Sequence, residues 1–237
     1  MVSIRDKLKP YTEIPKLKDR DVFIIGSGTS VNRRMVAYIE DNDLGDVISV
    51  NASILLCNSG YFISNDSALM NHTYWEDIKK SKCTKIVRNS WEKHLDKIPY
   101  DFYYFWPREC GELIIDKYSS DNGLCYVSSI PTAIDFSIFL EARKIYLLGV
   151  DHYTVNGKSY FWEMESYNGV VPKTKGHFAP VSLQNFVFNK NIKIFNELKK
   201  YADDKNIEIV NLNENSKIDS FRKLNFNELI IGVKNGI

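Results

Sequence analysis

The residues best suited to chemistry lie late in the run YVSSIPTAIDFSIFLEARKIYLLGVDHYTVNGKSY, from Tyr126 to Tyr160. Asp151, His152 and Tyr153 follow the apolar run Ile145–Gly149, which is typical of a buried parallel strand. In an open α/β sheet, ligands bind outside the carboxyl ends of the strands. A carboxylate, an imidazole and a phenol at such an end predict a ligand-binding or catalytic site, with an ordinary polar loop as the alternative.

A helix is predicted directly before this strand. Ser129 is expected to cap it, and Pro131 suits its first turn. The charges of Arg143 and Lys144 suit the negative end of the helix dipole. Apolar residues three and four positions apart predict one buried helical face, formed by Ile130, Ala133, Ile134 and Ile138.

A glycine-rich turn follows the first predicted strand, Asp21–Ile25, and precedes a predicted helix from Val31 to Glu40. The turn reads Gly26, Ser27, Gly28, Thr29, Ser30. A strand, a small-residue turn and a helix in this order can present backbone N–H groups to a phosphate. The turn matches neither GxGxxG nor a Walker P-loop, so a purely structural turn fits the residues equally well.

Two further predicted strands, Asp46–Val50 and Tyr61–Ser64, each end at an asparagine. Asn51 and Asn65 carry amides that can bind phosphate, ribose or base edges without adding charge. Asparagine also caps turns well, so local capping is the alternative.

The remaining pattern favours one α/β domain spanning residues 1–237. We expect a Rossmann-like, mainly parallel sheet with helices on both faces, and a lid over the nucleotide site at about residues 154–180. Other predicted elements are a helix over residues 67–80, a strand at Lys85–Arg88, an aromatic edge strand or stacking wall at Tyr100–Trp106, a helix at Leu183–Asp204 and a strand at Ile207–Asn211.

The composition excludes several classes of function. With 31 basic and 30 acidic residues, the chain offers no electrostatic case for nucleic acid or an anionic membrane. No apolar run reaches the roughly 18 residues of a membrane span. The cysteines lack CxxC spacing, which predicts neither a zinc site nor a redox pair; they are Cys57, Cys83, Cys110 and Cys125. Four scattered cysteines without an export signal predict reduced thiols in a cytoplasmic protein. Asp41-Asn42-Asp43 lies between a helix and a strand, which favours a solvated turn over a metal motif.

The order of these pieces resembles the small bacterial sialyltransferases that transfer sialic acid from CMP-sialic acid to lipooligosaccharide. It also resembles a related superfamily of Maf flagellin glycosyltransferases and archaeal 6-hydroxymethylpterin pyrophosphokinases. The similarity covers about residues 21–215 and is carried by the glycine turn, the two strand-end asparagines and the run KIYLLGVDHYTVNGKSYFW with a later Gly-His.

The resemblance implies roles for particular residues. Tyr153 and Tyr160 match the tyrosines that hold the donor's phosphate, and His177 matches the general base. The other matches lie near the nucleotide: Gly26, Ser27, Gly28 and Ser30 in the turn, Asn51, Asn65 and Asp151 at strand ends, and the pair Ser128 and Ser129. His152 is the competing candidate for the base because it follows a strand directly.

The chain also departs from the sialyltransferases, which have an arginine shortly before the Thr-Ser pair where this chain has Tyr126. SSIPTAIDFSIFL is closer to the pyrophosphokinase and Maf side, so a Mg-dependent pyrophosphokinase using ATP, with Asp66 and Asp151 as ligands, is an alternative, as is a non-catalytic binding module. The first interpretation requires no cofactor and no metal. It implies a nucleotide-sugar donor, a glycan acceptor, a homo-oligomer and a place in the cytoplasm, peripheral to the inner face of the membrane.

Overall fold

The computed structural model describes residues 3–58, 60–108, 118–119, 123–169 and 181–234, with the backbone alone at 181–188 and 233–234. Its centre is a sheet in which nine strands of the described chain pair in parallel, in the order β1-β6-β5-β4-β3-β2-β9-β10-β11. These strands are β1 Lys9–Pro10, β2 Asp21–Ile25, β3 Asp46–Val50, β4 Tyr61–Ser64, β5 Thr84–Arg88, β6 Phe102–Phe105, β9 Lys144–Leu148, β10 Glu208–Asn211 and β11 Arg222–Lys223. Two short strands, β7 Pro107–Arg108 and β8 Leu124–Cys125, pair separately.

Helices cover both faces of this sheet. They are α1 Ile4–Lys7, α2 Arg33–Asp41, α3 Trp75–Lys80, α4 Ser129–Phe139, α5 Val181–Asp204 and α6 Phe226–Lys234. Alternate residues of the central strands belong to two separate apolar clusters, one on each face of the sheet. In β2, Val22 and Ile24 pack on the side of α4 and α5, whereas Phe23 and Ile25 pack on the side of α2. The apolar runs are therefore strands buried on both faces, as expected of a parallel sheet. The predicted α/β fold class with a Rossmann-like parallel sheet is confirmed.

The strand order contains a doubly wound core. From β2 the chain runs outward through β3 and β4, and it later returns to place β9, β10 and β11 on the other side. These six strands follow the 3-2-1-4-5-6 order of dinucleotide-binding sheets. Strands β5, β6 and β1 extend one edge, so the aromatic strand Phe102–Phe105 is covered by β1 and is not the edge strand that its sequence predicted.

Helix α4 is the most deeply buried helix in the described chain, with every residue except Ile130 buried. Its Asp135 carboxylate holds it in place by accepting from Arg108 Nη2 at 2.6 Å and from the Cys125 N–H at 2.7 Å. A buried charge of this kind is stabilised only when it is paired and hydrogen-bonded, and both conditions are met here. The start of α4, which faces the carboxyl ends of the strands, is therefore fixed in position.

Several local predictions are wrong in detail. Ser128, not Ser129, precedes the first turn of α4, and neither serine forms the expected cap. Arg143 and Lys144 lie beyond the helix, where Arg143 pairs with Asp21 at 2.8 Å and Lys144 opens β9. These charges are therefore used to join the beginnings of neighbouring strands.

The predicted helix over residues 67–80 is divided into a 3-10 helix, Ser67–Asn71, and the separate helix α3. Asn71, His72 and Thr73 are weak helix formers at the break. The Asp41-Asn42-Asp43 turn is solvated as predicted, and Asp43 pairs with Arg20 at 2.8 Å.

The four cysteines do not share one state. Cys125 is disulfide-bonded, so the prediction of reduced thiols throughout is wrong for this residue. Cys57 and Cys83 are thiols.

Candidate functional site

The candidate site lies at the carboxyl ends of the central strands, where β2 and β9 are neighbours. The chain continues from β2 to β3 on one side of this pair, and from β9 to β10 on the opposite side. Loops that diverge at such a point leave a crevice between them, which is where open α/β sheets bind ligands. The glycine turn after β2 and the segment Asp151–Tyr153 after β9 form its two walls.

The glycine turn packs tightly against the other wall. The N–H groups of Gly26 and Gly28 donate to the carbonyls of Leu148 and Gly149, at 2.7 and 2.8 Å. A Cβ at Gly26 would lie 2.5 Å from the Gly149 oxygen, and one at Gly28 would lie 2.4 Å from Asp151 Oδ2. Glycine is thus required for contact between the two walls, and these two N–H groups bind protein carbonyls.

Asp151 organises this side of the site. Its carboxylate is 3% exposed and accepts from the Ser30 N–H at 2.9 Å, from the Ser30 hydroxyl, from Thr29 Oγ1 at 3.3 Å and from Asn213 Nδ2 at 2.9 Å. Charge-assisted hydrogen bonds of this kind stabilise a buried carboxylate strongly. Both oxygens of Asp151 are therefore occupied by the protein's own donors.

Asn213, which the sequence analysis did not single out, connects Asp151 to Tyr153. Its Nδ2 donates to Asp151 and also to the Tyr153 hydroxyl at 3.2 Å, while its Oδ1 accepts from the Asn215 N–H at 3.0 Å. A phenol that accepts a hydrogen bond keeps its own O–H for donation. The phenol of Tyr153 is thus held at the crevice with a donor to offer. Asn213 follows β10 by two residues, so the strand-end pattern used for Asn51 and Asn65 would have found it.

Tyr160 is joined to the glycine turn through the next residue, because the Phe161 N–H donates to the Ser27 carbonyl at 3.0 Å. The Tyr160 ring stacks on Trp162, with ring centroids 4.4 Å apart and planes 6° apart. Burial and the nearby Glu163 raise the pKa of Tyr160. Its hydroxyl therefore stays protonated at neutral pH.

The two strand-end asparagines differ in their partners. Asn65 Nδ2 donates to the Tyr126 carbonyl and to Thr132 Oγ1, both at 3.0 Å, and the Asn65 N–H donates to Ser129 Oγ at 3.2 Å. Asn65 thus fastens the start of α4 to β4. Asn51 has a left-handed backbone with φ of 55°. Within the described residues, its amide makes a single contact, in which its Oδ1 accepts from Ser129 Oγ at 3.5 Å.

The serine pair divides in the same way. Ser129 belongs to the Asn51–Asn65 group, whereas Ser128 Oγ donates to Asn191 Oδ1 of α5 at 3.0 Å. Ser128 therefore joins the two helices on this face of the sheet.

Arg88, at the carboxyl end of β5, is a second residue that the sequence analysis missed. Its guanidinium lies 4.6 Å from the ring centroid of Tyr126. Tyr126 lies two residues before the serine pair. No local sequence pattern indicates this contact, since it joins residues from separate elements.

The two histidine candidates have different outcomes. His152 is half-buried with φ of 54°, and its ring lies 5.5 Å from that of Phe195 in α5. Burial lowers its pKa from 6.5 to about 4, so it is neutral and a weak base near neutral pH. His177 lies outside the described residues, as does the part of the predicted lid from residue 170 to 180.

The two carboxylates considered as magnesium ligands both accept hydrogen bonds from the protein. Asp151 is bound as above, and Asp66 is exposed and accepts from the Ala68 N–H at 2.9 Å at the start of a 3-10 helix. Across the described ranges, no three His, Cys, Asp or Glu side chains form a cluster that could hold a metal ion.

No family model and no curated protein matches the chain. The helices in the described part of the chain also include none long and apolar enough to cross a membrane. The similarity to sialyltransferases and their relatives therefore remains a prediction from the sequence motifs.

Proposed function

We propose that this protein is a glycosyltransferase that transfers sialic acid, or a related nonulosonic acid, from a CMP-activated donor to a hydroxyl of a glycan acceptor. The reaction inverts the configuration at the anomeric carbon and needs no metal. The bond between that carbon and the CMP phosphate breaks, CMP leaves with the electron pair, and the acceptor oxygen forms the new bond as it loses its proton.

The observation that carries the proposal is the held phenol of Tyr153. Asn213 donates to its oxygen and leaves the O–H to donate at the crevice beside the glycine turn. Fixed neutral donors stabilise developing charge without reorganisation when the reaction occurs. A leaving group with one phosphate suits two phenols, Tyr153 and Tyr160, together with the Asn51 amide.

His177 is assigned as the general base on sequence grounds. A histidine with an ordinary pKa can accept the acceptor's proton near neutral pH. The lowered pKa of His152, together with its packing on Phe195, makes that residue the weaker candidate.

The pyrophosphokinase alternative is less well supported by the donor arrangement. Diphosphate transfer from ATP uses carboxylates with oxygens available for Mg²⁺. Both oxygens of Asp151 accept from Ser30, Thr29 and Asn213, and coordination of Mg²⁺ would cost these hydrogen bonds.

Ligand-dependent thermal stability tests the donor class. Melting temperatures are measured with CMP, CMP-sialic acid, CDP, UDP, GDP and ATP, each with magnesium and with EDTA. We expect stabilisation by CMP and CMP-sialic acid that survives EDTA, and transfer of sialic acid to a glycan acceptor in the same buffer. Stabilisation by ATP only in the presence of magnesium would overturn the proposal in favour of the pyrophosphokinase.

Variants then test the assigned roles. His177→Ala is expected to lower the transfer rate by about 10²- to 10⁴-fold, the usual contribution of a general base. His94→Ala serves as the matched control and should keep wild-type rates. If His152→Asn abolishes transfer while His177→Ala retains it, the assignment of the base is wrong.

Tyr153→Phe removes only the phenolic hydroxyl. We expect a fall of about 10²-fold in kcat with a smaller change in KM, because the lost hydrogen bond is strongest when the phosphate departs. Retention of wild-type kcat would refute the role of Tyr153 and remove the main support for the proposal.

A further inference from the structure

Arg88 ends β5 at the same edge of the sheet as the candidate site. Ser64 pairs with Val87, so the next residues along the two strands, Asn65 and Arg88, are neighbours. Ile86 packs on the α4 side of the sheet and Val87 on the other side. Because side chains alternate along a strand, Arg88 projects toward the α4 side.

The guanidinium of Arg88 packs against the ring of Tyr126, whose backbone is held by a hydrogen bond. It lies 4.6 Å from the centroid of the Tyr126 ring, and the Tyr126 carbonyl accepts from Asn65 Nδ2 at 3.0 Å. The Asn65 N–H in turn donates to Ser129 Oγ, and Ser129 is 8% exposed. Contact between a guanidinium and an aromatic face fixes the plane of the cation without using its hydrogen-bond donors.

Arg88 has no counter-charge within the described chain. Its side chain makes no ion pair and no hydrogen bond to any described residue, and its Nε is buried without a partner. Four other arginines pair with carboxylates, Arg20, Arg108, Arg143 and Arg222, and Arg33 donates to the Leu55 carbonyl. Half-buried cations in folded proteins are normally paired, so an unpaired one at a ligand-binding edge indicates that its partner is the ligand.

We propose that Arg88 is the anion-binding residue of the site and forms a paired hydrogen bond with a carboxylate or phosphate of the bound ligand. The planar fork of a guanidinium matches two oxygens of either group. The proposal rests on the proposed function for the identity of the ligand, a CMP-linked sugar acid, which carries both a phosphate and a carboxylate.

Binding measurements on Arg88→Met and Arg88→Lys test this role, with Arg34→Met as the matched control because Arg34 is exposed on α2. Dissociation constants are measured by calorimetry for CMP-sialic acid, CMP, free sialic acid and cytidine. Arg88→Met is expected to weaken binding of CMP-sialic acid by about tenfold or more, with cytidine unaffected and Arg88→Lys intermediate. The control should bind every ligand as the wild type does.

The ligand panel separates the two anions. A loss already present with CMP assigns Arg88 to the phosphate. A loss seen only with CMP-sialic acid and free sialic acid assigns it to the carboxylate.

The panel also separates this proposal from the proposed function. If wild-type protein binds ATP and not CMP, and Arg88→Met loses ATP, the donor class is wrong while the role of Arg88 stands. Wild-type affinity of Arg88→Met for every anionic ligand would overturn the role of Arg88 and leave the donor class intact. An equal loss for cytidine would show a structural effect and would also overturn it, and absence of all nucleotide binding by the wild type would overturn both.

Discussion

The two sides of the candidate site differ in how many of their polar groups the protein itself uses. On the glycine-turn side, formed by residues 26–30 with Asp151 and Asn213, hydrogen bonds within the protein occupy both oxygens of Asp151. The Arg88 side is formed by Asn51, Asn65, Tyr126 and Arg88. Among the described residues, the Arg88 guanidinium donates to no partner and the Asn51 amide makes one long contact. The glycine-turn side is therefore held in one geometry, whereas Arg88 and Asn51 on the other side have polar groups that can bind a ligand.

This difference separates two meanings of a polar residue at a strand end. A fully satisfied buried network stabilises one geometry. An unpaired group costs stability and is retained where binding requires it. Substitutions of Asp151 and the glycine turn should therefore mainly change folding, and those of Arg88 and Asn51 should mainly change ligand affinity.

Asp151→Ala should have the largest effect on stability. It removes the acceptor of the Ser30 N–H and hydroxyl and of Thr29 Oγ1, and leaves Asn213 Nδ2 with the Tyr153 oxygen alone. We expect a loss of about 4 kcal/mol in the free energy of unfolding, measured with urea. Asp43→Asn, at an exposed left-handed position, is the control and should change it by less than about 0.5 kcal/mol. A small effect of Asp151→Ala would show that the hydrogen bonds on the glycine-turn side do not stabilise the fold.

Gly28→Ala should have the next largest effect. The added Cβ would lie 2.4 Å from Asp151 Oδ2 and 2.7 Å from the Gly149 carbonyl oxygen, which cannot move apart without separating the two walls. We expect a loss of about 2 to 3 kcal/mol by urea unfolding. Gly60→Ala is the matched control, because its nearest neighbour would be 3.7 Å away. Equal stabilities of the two variants would show that the walls are not in close contact.

The third effect depends on pH and involves His152. Its pKa is about 4 in the folded protein and 6.5 without burial, so between these values the unfolded chain binds a proton that the folded chain excludes. Stability should therefore fall as the pH drops from about 7 to about 4, with His152 contributing on the order of 2 kcal/mol. His152→Asn, which suits the left-handed backbone, should flatten this dependence relative to wild type. An identical pH dependence would show that His152 is not buried as a neutral ring.

Arg88→Met should have the smallest effect on stability. It removes a cation without a counter-charge in the described chain and loses only the contact with Tyr126, so the free energy of unfolding should change by no more than about 1 kcal/mol. Urea unfolding of the variant, beside Arg34→Met, checks this. A loss comparable to that of Asp151→Ala would show that both sides of the site are structural.

The sequence predicted the positions of the site elements better than their roles. Strands β2, β3 and β4 were placed correctly because apolar runs followed by glycine or asparagine are local signals. The hydrogen-bond partner of each polar side chain could not be predicted, because it lies far away in the sequence. Asp151 accepts from Ser30, 121 residues earlier, and Asn65 donates to Tyr126, 61 residues later. The prediction of Ser129 as a helix cap was wrong because its hydroxyl instead accepts from the distant Asn65 N–H.

The strand order also determines when the site can form during synthesis. Strands β2 to β5 each pair with the next strand of the chain, whereas the other edge of β2 pairs with β9, which begins at Lys144. Until β9 has emerged from the ribosome, β2 is an open edge and the glycine turn has no opposing wall. The crevice is therefore completed late, by a contact between distant parts of the chain, and such contacts make folding slow.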